Sequence, residues 1–465
     1  MSSLTSVEVP ALGPSGEFRA VNRLRVTDVS GADLAEVSLV PPLYVHRTMA
    51  ALHRAEGLPT ADRVALLARA AALFATATIG GLSTADYQYA VSRAGGVPIS
   101  SVREATGTVA QRVANAYRGA HRARPRGTVE DWRHPSTRDG RAVWTRRGDV
   151  FAVHAAGNHP GTHSIWPEAL ALGYRVAIRP SSRDPFTPYR LVTALRTAGF
   201  PADHVVLLPT DHAGADAVLR GADLAMVYGG EDVVARYGGG RVLPQGPGRS
   251  KILVTADTDW HAHLNVIVES VAAHGGTGCM NATAVFVEGD PGPLATAIAE
   301  RLSALPSLLP EDDKAVLPVQ PVPTARAMET YLLRKAAGTR AWLGGDGVVD
   351  ELGDGSAVLR PAVHQLGDAA AAQAGVELPF PCVWVAPWTP DAGVLPLRDT
   401  LVLTALTGDE QLVDRLLDEP TISNVYVGDQ HTFWMASGVP HDGYLGDFLM
   451  RNKGVIRAHP GRTLG

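Results

Sequence analysis

Cysteine is nearly absent from this chain of 465 residues: only Cys279 and Cys382 are present. Two cysteines cannot build a disulfide framework, which points to a reducing, cytoplasmic setting. Lysine is equally scarce, four of 42 basic residues (Lys251, Lys314, Lys335, Lys453), so arginine carries the positive charge. A strong charge of one sign is missing as well. The net charge of −5 is spread along the chain, which argues against nucleic-acid binding. No uninterrupted apolar run reaches the roughly 20 residues that span a bilayer, so no membrane partner is expected. Residues 1–10 lack a basic stretch followed by an apolar run, so no signal peptide is expected. What remains is an ordinary globular composition, 45% apolar and 19% charged, at a length that suits two or three domains.

Residues 41–120 read as helical. Thr60 to Arg63 opens an Ala/Leu-rich stretch through Ala77 with apolar residues at helical spacing, and Thr84 and Ser100 suit helix caps. Over 121–148 eight arginines mix with turn residues and β-formers, which predicts an exposed, strand-rich excursion. From 149 onward, strands at 149–154, 175–178, 205–208 and 224–227 alternate with helices at 161–172, 188–199 and 213–220. Short apolar runs separated by helices mean βαβ units and a parallel sheet. A second α/β segment follows, with strands at 252–254, 284–287 and 381–385 and helices at 262–273, 293–305 and 409–417. Residues 306–375, rich in Pro, Gly and Ala, give no clear pattern.

The chemistry gathers at strand ends, where parallel sheets bind ligands. Cys279 follows three glycines in four positions, Gly275-Gly276-Thr277-Gly278. Glycine leaves the backbone bare to close approach, and the β-prone run at 284–287 would fix the turn. That suits a presented nucleophile, although a free cysteine is otherwise a small buried hydrophobe. Asn158 stands at a strand-to-helix turn, where its amide can donate to a developing oxyanion, or simply favour the turn. Arg179-Pro180-Ser181-Ser182-Arg183 ends the next strand and offers donors for phosphate. Tyr228-Gly229-Gly230 ends another. None of these turns is a GxGxxG or a P-loop.

Taken together, residues from about 60 to 455 resemble the aldehyde dehydrogenase superfamily. Asn158-His159-Pro160 is similar to its Asn-x-Pro oxyanion motif and Arg179-Pro180-Ser181-Ser182 to its Lys-Pro-Ser-Glu cofactor motif. Tyr228-Gly229-Gly230 resembles its Thr-Gly-Ser turn, and Gly276-Thr277-Gly278-Cys279 its nucleophile motif. Glu377-Leu378-Pro379-Phe380 resembles its Glu-x-Phe cofactor motif with one extra residue. The resemblance implies two Rossmann-type parallel-sheet domains and a β-hairpin oligomerisation extension. On it, 1–122 with 149–246 would bind cofactor, 247–440 would be catalytic, and 123–148 with 441–465 would pair subunits into a homodimer or homotetramer. It also implies Cys279 as nucleophile, Asn158 as oxyanion donor, and Arg179, Ser182, Arg183, Gly229, Gly230, Glu377 and Phe380 as cofactor contacts, with no metal.

Two departures narrow the reading. Gln245 lies 34 residues before Cys279, where hydrolytic members carry a glutamate base. Glutamine cannot take a proton from water, and such bases typically contribute about 10²–10⁴-fold. His154, His159, His163 and His274 are the side chains that would have to compensate. Ser182 replaces a carboxylate that bonds the adenosine ribose in NAD-preferring members, and Arg179 and Arg183 would attract a 2′-phosphate, which favours NADP(H) over NAD(H). The expected reaction is reduction of an acyl thioester, carried by coenzyme A or an acyl carrier protein, to an aldehyde, as in the acyl-CoA reductase branch the motifs resemble. The alternatives are NAD(P)-dependent oxidation of an aldehyde to an acyl-CoA or acid, and a catalytically silent relative. Trp166, Phe433, Trp434 and Tyr444 would make the acyl pocket, drawn from 160–170, 280–284 and 431–445, apolar.

Overall fold

The computed structural model describes residues 7–237, 239–436, 438–440 and 443–457. Two seven-stranded sheets dominate it. The first runs, edge to edge, Val242–Gln245, Leu224–Tyr228, Val150–His154, Arg175–Arg179, Val205–Leu207, Ala11–Gly13, Gly16–Phe18. Its first five strands are parallel, and the two N-terminal ones pair antiparallel. Val150–His154 is buried at every position, as expected of an apolar run covered on both faces. The chain steps from this strand to one side, then returns to its other side with Leu224–Tyr228. The strand ends beside that reversal are where such sheets open a crevice.

The second sheet runs Arg340–Leu343, Ala362–Gln365, Cys382–Trp388, Ala282–Glu288, Ser250–Val254, Thr400–Leu406, Ile422–Val427. All but its first strand are parallel. It reverses beside Ser250–Val254. Only residues 246–249 separate the edge strand of the first sheet from this central strand of the second, so the link must cross between the two crevices.

The alternation of strands and helices from 149 to 228 matches the sequence reading closely, but several expectations change. Residues 121–148 hold one strand, Arg141–Arg146, with short 3₁₀ turns at His121–Ala123 and Pro135–Asp139; Pro and turn residues outweigh the β-formers. That strand pairs antiparallel with Met450–Val455. The helix expected over 161–172 is a 3₁₀ turn, Pro160–Ser164, then a short helix, Pro167–Ala171, because Pro167 lacks the N–H a continuous helix needs. Residues 306–375, unreadable in sequence, contain the helix Val322–Lys335 and five short strands. Thr400–Leu406 and Ile422–Val427 are strands that the sequence did not announce. Residues 458–465 of the expected C-terminal extension lie outside the described residues. Among the described residues no helix is long and apolar enough to cross a membrane.

A buried ion cluster ties the N-terminal strands and early helices to the segment following Leu305. Arg93, on helix Thr84–Gly95, meets Asp28 at 2.6 Å and Glu311 at 3.2 Å. The backbone joins it there: Val319 donates to the Gly96 carbonyl at 2.8 Å.

Candidate active site

The nucleophile turn is built locally. After helix Leu264–Ala272 the chain makes a tight 3₁₀ turn in which His274 (φ 54°), Gly275 (φ 75°) and Gly276 (φ 64°) are left-handed. A Cβ on Gly276 would lie 2.5 Å from the backbone nitrogen of Pro381, so only glycine fits. Asn281, 4% exposed, pins the turn. Its Oδ1 accepts from Gly278 N–H at 2.9 Å, and its Nδ2 donates to the Ala273 and Ser270 carbonyls at 2.9 and 3.1 Å. Sequence reasoning passed over this residue, although an asparagine two positions after the cysteine is a visible turn signal.

Cys279 sits at the end of that turn, half-buried. Its carbonyl accepts from the buried Ser250 hydroxyl at 3.0 Å. Gly248 lies against the same carbonyl: a Cβ there would be 1.8 Å from the oxygen. Cys382, by contrast, is buried in the core of the second sheet, and burial pushes its thiol far up.

Asn158 reaches this turn from the first sheet. Its strand, Val150–His154, ends beside Arg175–Arg179, where Ala155 N–H donates to the Arg179 carbonyl at 3.0 Å. The Asn158 amide then donates to the Thr277 carbonyl at 2.9 Å, which brings it to within two residues of Cys279. A primary amide carries two N–H donors, so this bond occupies one of them.

The linking segment closes the site. Gln245 ends its strand with its carbonyl accepting from Gly229 N–H at 3.1 Å, which joins the glycine turn to the Gln245 position. Three residues on, Gly248 meets Cys279. Next, Arg249 N–H donates to Glu377 Oε2 at 2.8 Å. Burial, ahead of these backbone donors, pushes the Glu377 carboxyl above its usual range. Gln245, Gly246, Pro247, Gly248 and Arg249 line a cavity of about 260 Å³, bounded beyond them by Asp399 and Leu401. It adjoins a second, of about 310 Å³, through Arg249 and Asp399.

Of the expected cofactor contacts, Arg179, Ser182, Arg183, Gly229 and Gly230 stand at the ends of the two strands that flank Val150–His154 in the first sheet. Arg179 Nε donates to the Thr210 carbonyl at 3.3 Å, and Arg183 Nη2 to Gln320 Oε1 at 3.0 Å. Neither guanidinium has a carboxylate at salt-bridge distance among the described residues. Gly229 abuts Val233, 2.5 Å from where a Cβ would be, so the turn stays bare toward its open side. These features fit a dinucleotide laid across the strand ends, with Glu377 close to the nucleophile turn. Phe380 departs from the set: it is 1% exposed and packs in the second sheet's core, so its ring presents little surface to a ligand.

The histidines divide. Burial pushes His154, His159 and His163 each down to about 3. Trp166 is fully buried and donates to His163 Nδ1 at 3.1 Å; it belongs to the first core rather than to an acyl pocket. Phe433 packs edge-on against His274 at 5.6 Å between ring centres. Trp434 is 40% exposed, and the Tyr444 hydroxyl is used on the Gly438 carbonyl. Residues 437, 441 and 442 of the expected pocket lie outside the described residues.

Known proteins agree with this architecture. The chain superposes on an NAD⁺ complex of an indole-3-acetaldehyde dehydrogenase with a TM-score of 0.81 at 18% identity, covering 97% of both chains. HpcC from Thermus thermophilus gives 0.79 at 21% identity over 99% of this chain and 96% of its own. Such identities speak for the fold alone. A malonate-semialdehyde dehydrogenase 2 from Geobacillus thermodenitrificans (strain NG80-2) is 27% identical over 146 residues, a stretch spanning 30% of this chain and 30% of that relative. The corresponding enzyme of Bacillus mycoides (strain KBAB4) is 26% identical over 134 residues, 27% of this chain and 28% of its own. The sequence profile of the aldehyde dehydrogenase family matches residues 26–445, and the chain therefore belongs to that family, whose members are NAD(P)-dependent oxidoreductases acting on aldehydes.

Proposed function

We propose that the protein oxidises an aldehyde through an acyl-enzyme on Cys279 and passes the acyl group to a thiol, such as coenzyme A or a carrier protein, rather than to water. The observation that carries this reading is Gln245, an amide on the segment that meets Cys279, where a hydrolytic enzyme needs a base.

The Cys279 thiolate adds to the aldehyde carbonyl, forming a C–S bond and an oxyanion. The Asn158 amide and the Cys279 backbone N–H hold that charge; a single donor of this kind contributes about 3 kcal/mol. A bound nicotinamide dinucleotide supplies the hydride acceptor. Cys279 is left as a thioester. An incoming thiolate attacks it, a new thioester forms and Cys279 leaves as thiolate. Thiols attack and leave without a strong base, so Gln245 is no handicap on this route. Water has no such advantage. Of the four histidines that would have to compensate, His154, His159 and His163, pushed down to about 3 by burial, are too weakly basic to replace the carboxylate, which leaves only His274 on the nucleophile turn.

The same steps in reverse reduce an acyl thioester to an aldehyde, and Gln245 favours that direction equally. Oxidation is preferred because the curated relatives are dehydrogenases by name. The lack of a carboxylate partner at Arg179 and Arg183 among the described residues supports NADP(H) over NAD(H), with Glu377 near the nicotinamide end. The strand pair Arg141–Arg146 and Met450–Val455 suits subunit pairing into a homodimer or homotetramer.

Assays with NADP or NAD, a panel of aldehydes, and coenzyme A present or absent test the proposal. Acyl-CoA should form with coenzyme A present. Sustained acid formation without any thiol, at an equal rate, would refute it.

A further inference from the structure

The cavity of about 310 Å³ takes no part in the steps above and has a chemistry of its own. Alanines supply much of its lining, and its charged side chains are Arg249, Lys251, Arg398 and Asp399, three cations against one carboxylate. Lys251 is 3% exposed. Its ammonium donates to the Arg398 carbonyl at 2.8 Å and to the Thr400 hydroxyl, with the Asp399 carbonyl farther off at 3.5 Å. An ammonium has three donors, so one is weakly used. No carboxylate stands at salt-bridge distance from it among the described residues. Burying a charge without a counter-ion is costly, and burial pushes this ammonium down to about 8, only partly opposed by Asp399. Arg249 adds a second unmet donor. It pairs with the exposed Glu231, and its backbone N–H serves Glu377, but its Nε is buried without a partner among the described residues. Other buried side-chain atoms lack partners too, yet this one alone belongs to a residue lining either cavity. Arg249 (φ 48°) and Asp399 (φ 53°), the two residues that both cavities share, are also left-handed; His274 is the one other non-glycine case among the described residues. Such strained backbone clusters at ligand sites, where the surroundings hold it.

We propose that this cavity is a phosphate-binding site, in which a phosphate group accepts from Arg249 Nε and from the weakly used Lys251 N–H, with the half-exposed Arg398 adding charge. Arg398 is held by Glu419 at 2.8 Å, and neither Glu419 nor Glu231 lines the cavity. Three cations on one cavity suit a dianion, and guanidinium with ammonium is a pairing that recognises phosphate. Lys251 is three residues from Gly248, at most about 10 Å of extended chain from the contact with the Cys279 carbonyl. On the function proposed above, the phosphate belongs to the phosphopantetheine arm that coenzyme A and carrier proteins share. Free inorganic phosphate offers the same chemistry, and the test separates the two. Only this choice of source rests on the proposed function.

Titration calorimetry at constant ionic strength tests this with inorganic phosphate, 4′-phosphopantetheine and pantetheine, on the wild-type protein, Lys251→Met and Arg249→Lys. At least one phosphate-bearing probe should bind wild type at least about 10-fold more tightly than pantetheine, since hydrogen bonds to charged groups are worth that factor or more. Tighter binding of phosphopantetheine than of inorganic phosphate assigns the site to the carrier arm; the reverse assigns it to free phosphate. Lys251→Met should weaken the favoured probe by about 10-fold or more. Arg249→Lys, which keeps the charge but not the Nε donor and leaves Lys251 in place, should weaken it by a similar factor. A wild type that binds neither phosphate-bearing probe more tightly than pantetheine overturns the inference, and needs no variant to fold. Binding unchanged in both variants also overturns it, since the phosphate would then sit elsewhere, as at Arg179 and Arg183. None of these readings uses turnover, so their failure leaves the proposed function standing, and a failure of thiol-dependent turnover leaves the site standing.

Discussion

Cys279 and Cys382 show how differently one side chain behaves in two settings. Cys279 ends a glycine turn and is half-buried; Cys382 is 4% exposed in a sheet core with its thiol pushed far up. Reactivity follows the thiolate and its access, so iodoacetamide should label Cys279 in the folded protein and Cys382 only after denaturation, as read by peptide mass mapping. Equal labelling would contradict the assigned roles. The contrast was legible in sequence, because glycines flank one cysteine and β-formers the other. Asn281 was less legible, since its work is done by three short hydrogen bonds rather than by a motif. Asn281→Ala removes them and should cost about 2–3 kcal/mol, given about 1 kcal/mol for each bond, seen as a lower melting temperature and slower Cys279 alkylation. Unchanged values would show that glycine geometry alone holds the turn.

At the scale of elements, the segment 246–249 does the most with the least. It links the two sheets, seats Gly248 on the Cys279 carbonyl and offers the Arg249 N–H to Glu377. Gly248→Ala places a methyl where that carbonyl stands, so turnover should fall at least about 100-fold, consistent with small misplacements costing that much; near-normal kcat would refute the contact. The broken helix around Pro167 carries a second test. Burial pushes the Glu168 carboxyl up to about 7, opposed by Arg112. A folded-state value above the ordinary 4.5 means stability that is full below about pH 4.5 and lost as pH rises through about 7. Glu168→Gln should therefore melt like wild type near pH 4.5 but higher at pH 8, by at most about 3 kcal/mol. A larger gain at low pH would reverse the assignment. Pro167 made the break readable in principle. Residues 306–375 were not readable, because strands such as Val319–Pro321 and Ser356–Leu359 are only three or four residues long and owe their existence to each other.

At the scale of the molecule, the buried apolar strands from 150 to 228 were plain in sequence, since parallel strands covered on both faces are continuously apolar. The clamp at Arg93 was not, because Asp28 and Glu311 lie 65 and 218 residues away along the chain. Nor was the pairing of Arg141–Arg146 with Met450–Val455, which depends on the whole chain returning. Removing residues 450–465 exposes the edge of Arg141–Arg146; if that pair joins subunits as proposed, the wild type should sediment as a dimer or tetramer and the truncated protein as monomer or aggregate, whereas an oligomer unchanged by the truncation would contradict the proposed interface.

On the proposed function, Gln245, the last residue of its strand and three before the glycine that meets Cys279, decides where the acyl group goes. The most direct test is the fate of the acyl-enzyme, followed by rapid mixing of protein, aldehyde and NADP without coenzyme A. Wild type should give a burst of about one NADPH per Cys279 and then stall until coenzyme A is added, releasing acyl-CoA. Gln245→Glu should turn over without coenzyme A, gaining about 10²-fold or more in acid formation. Steady acid production by wild type without thiol, matched by no gain in the variant, would contradict the central claim.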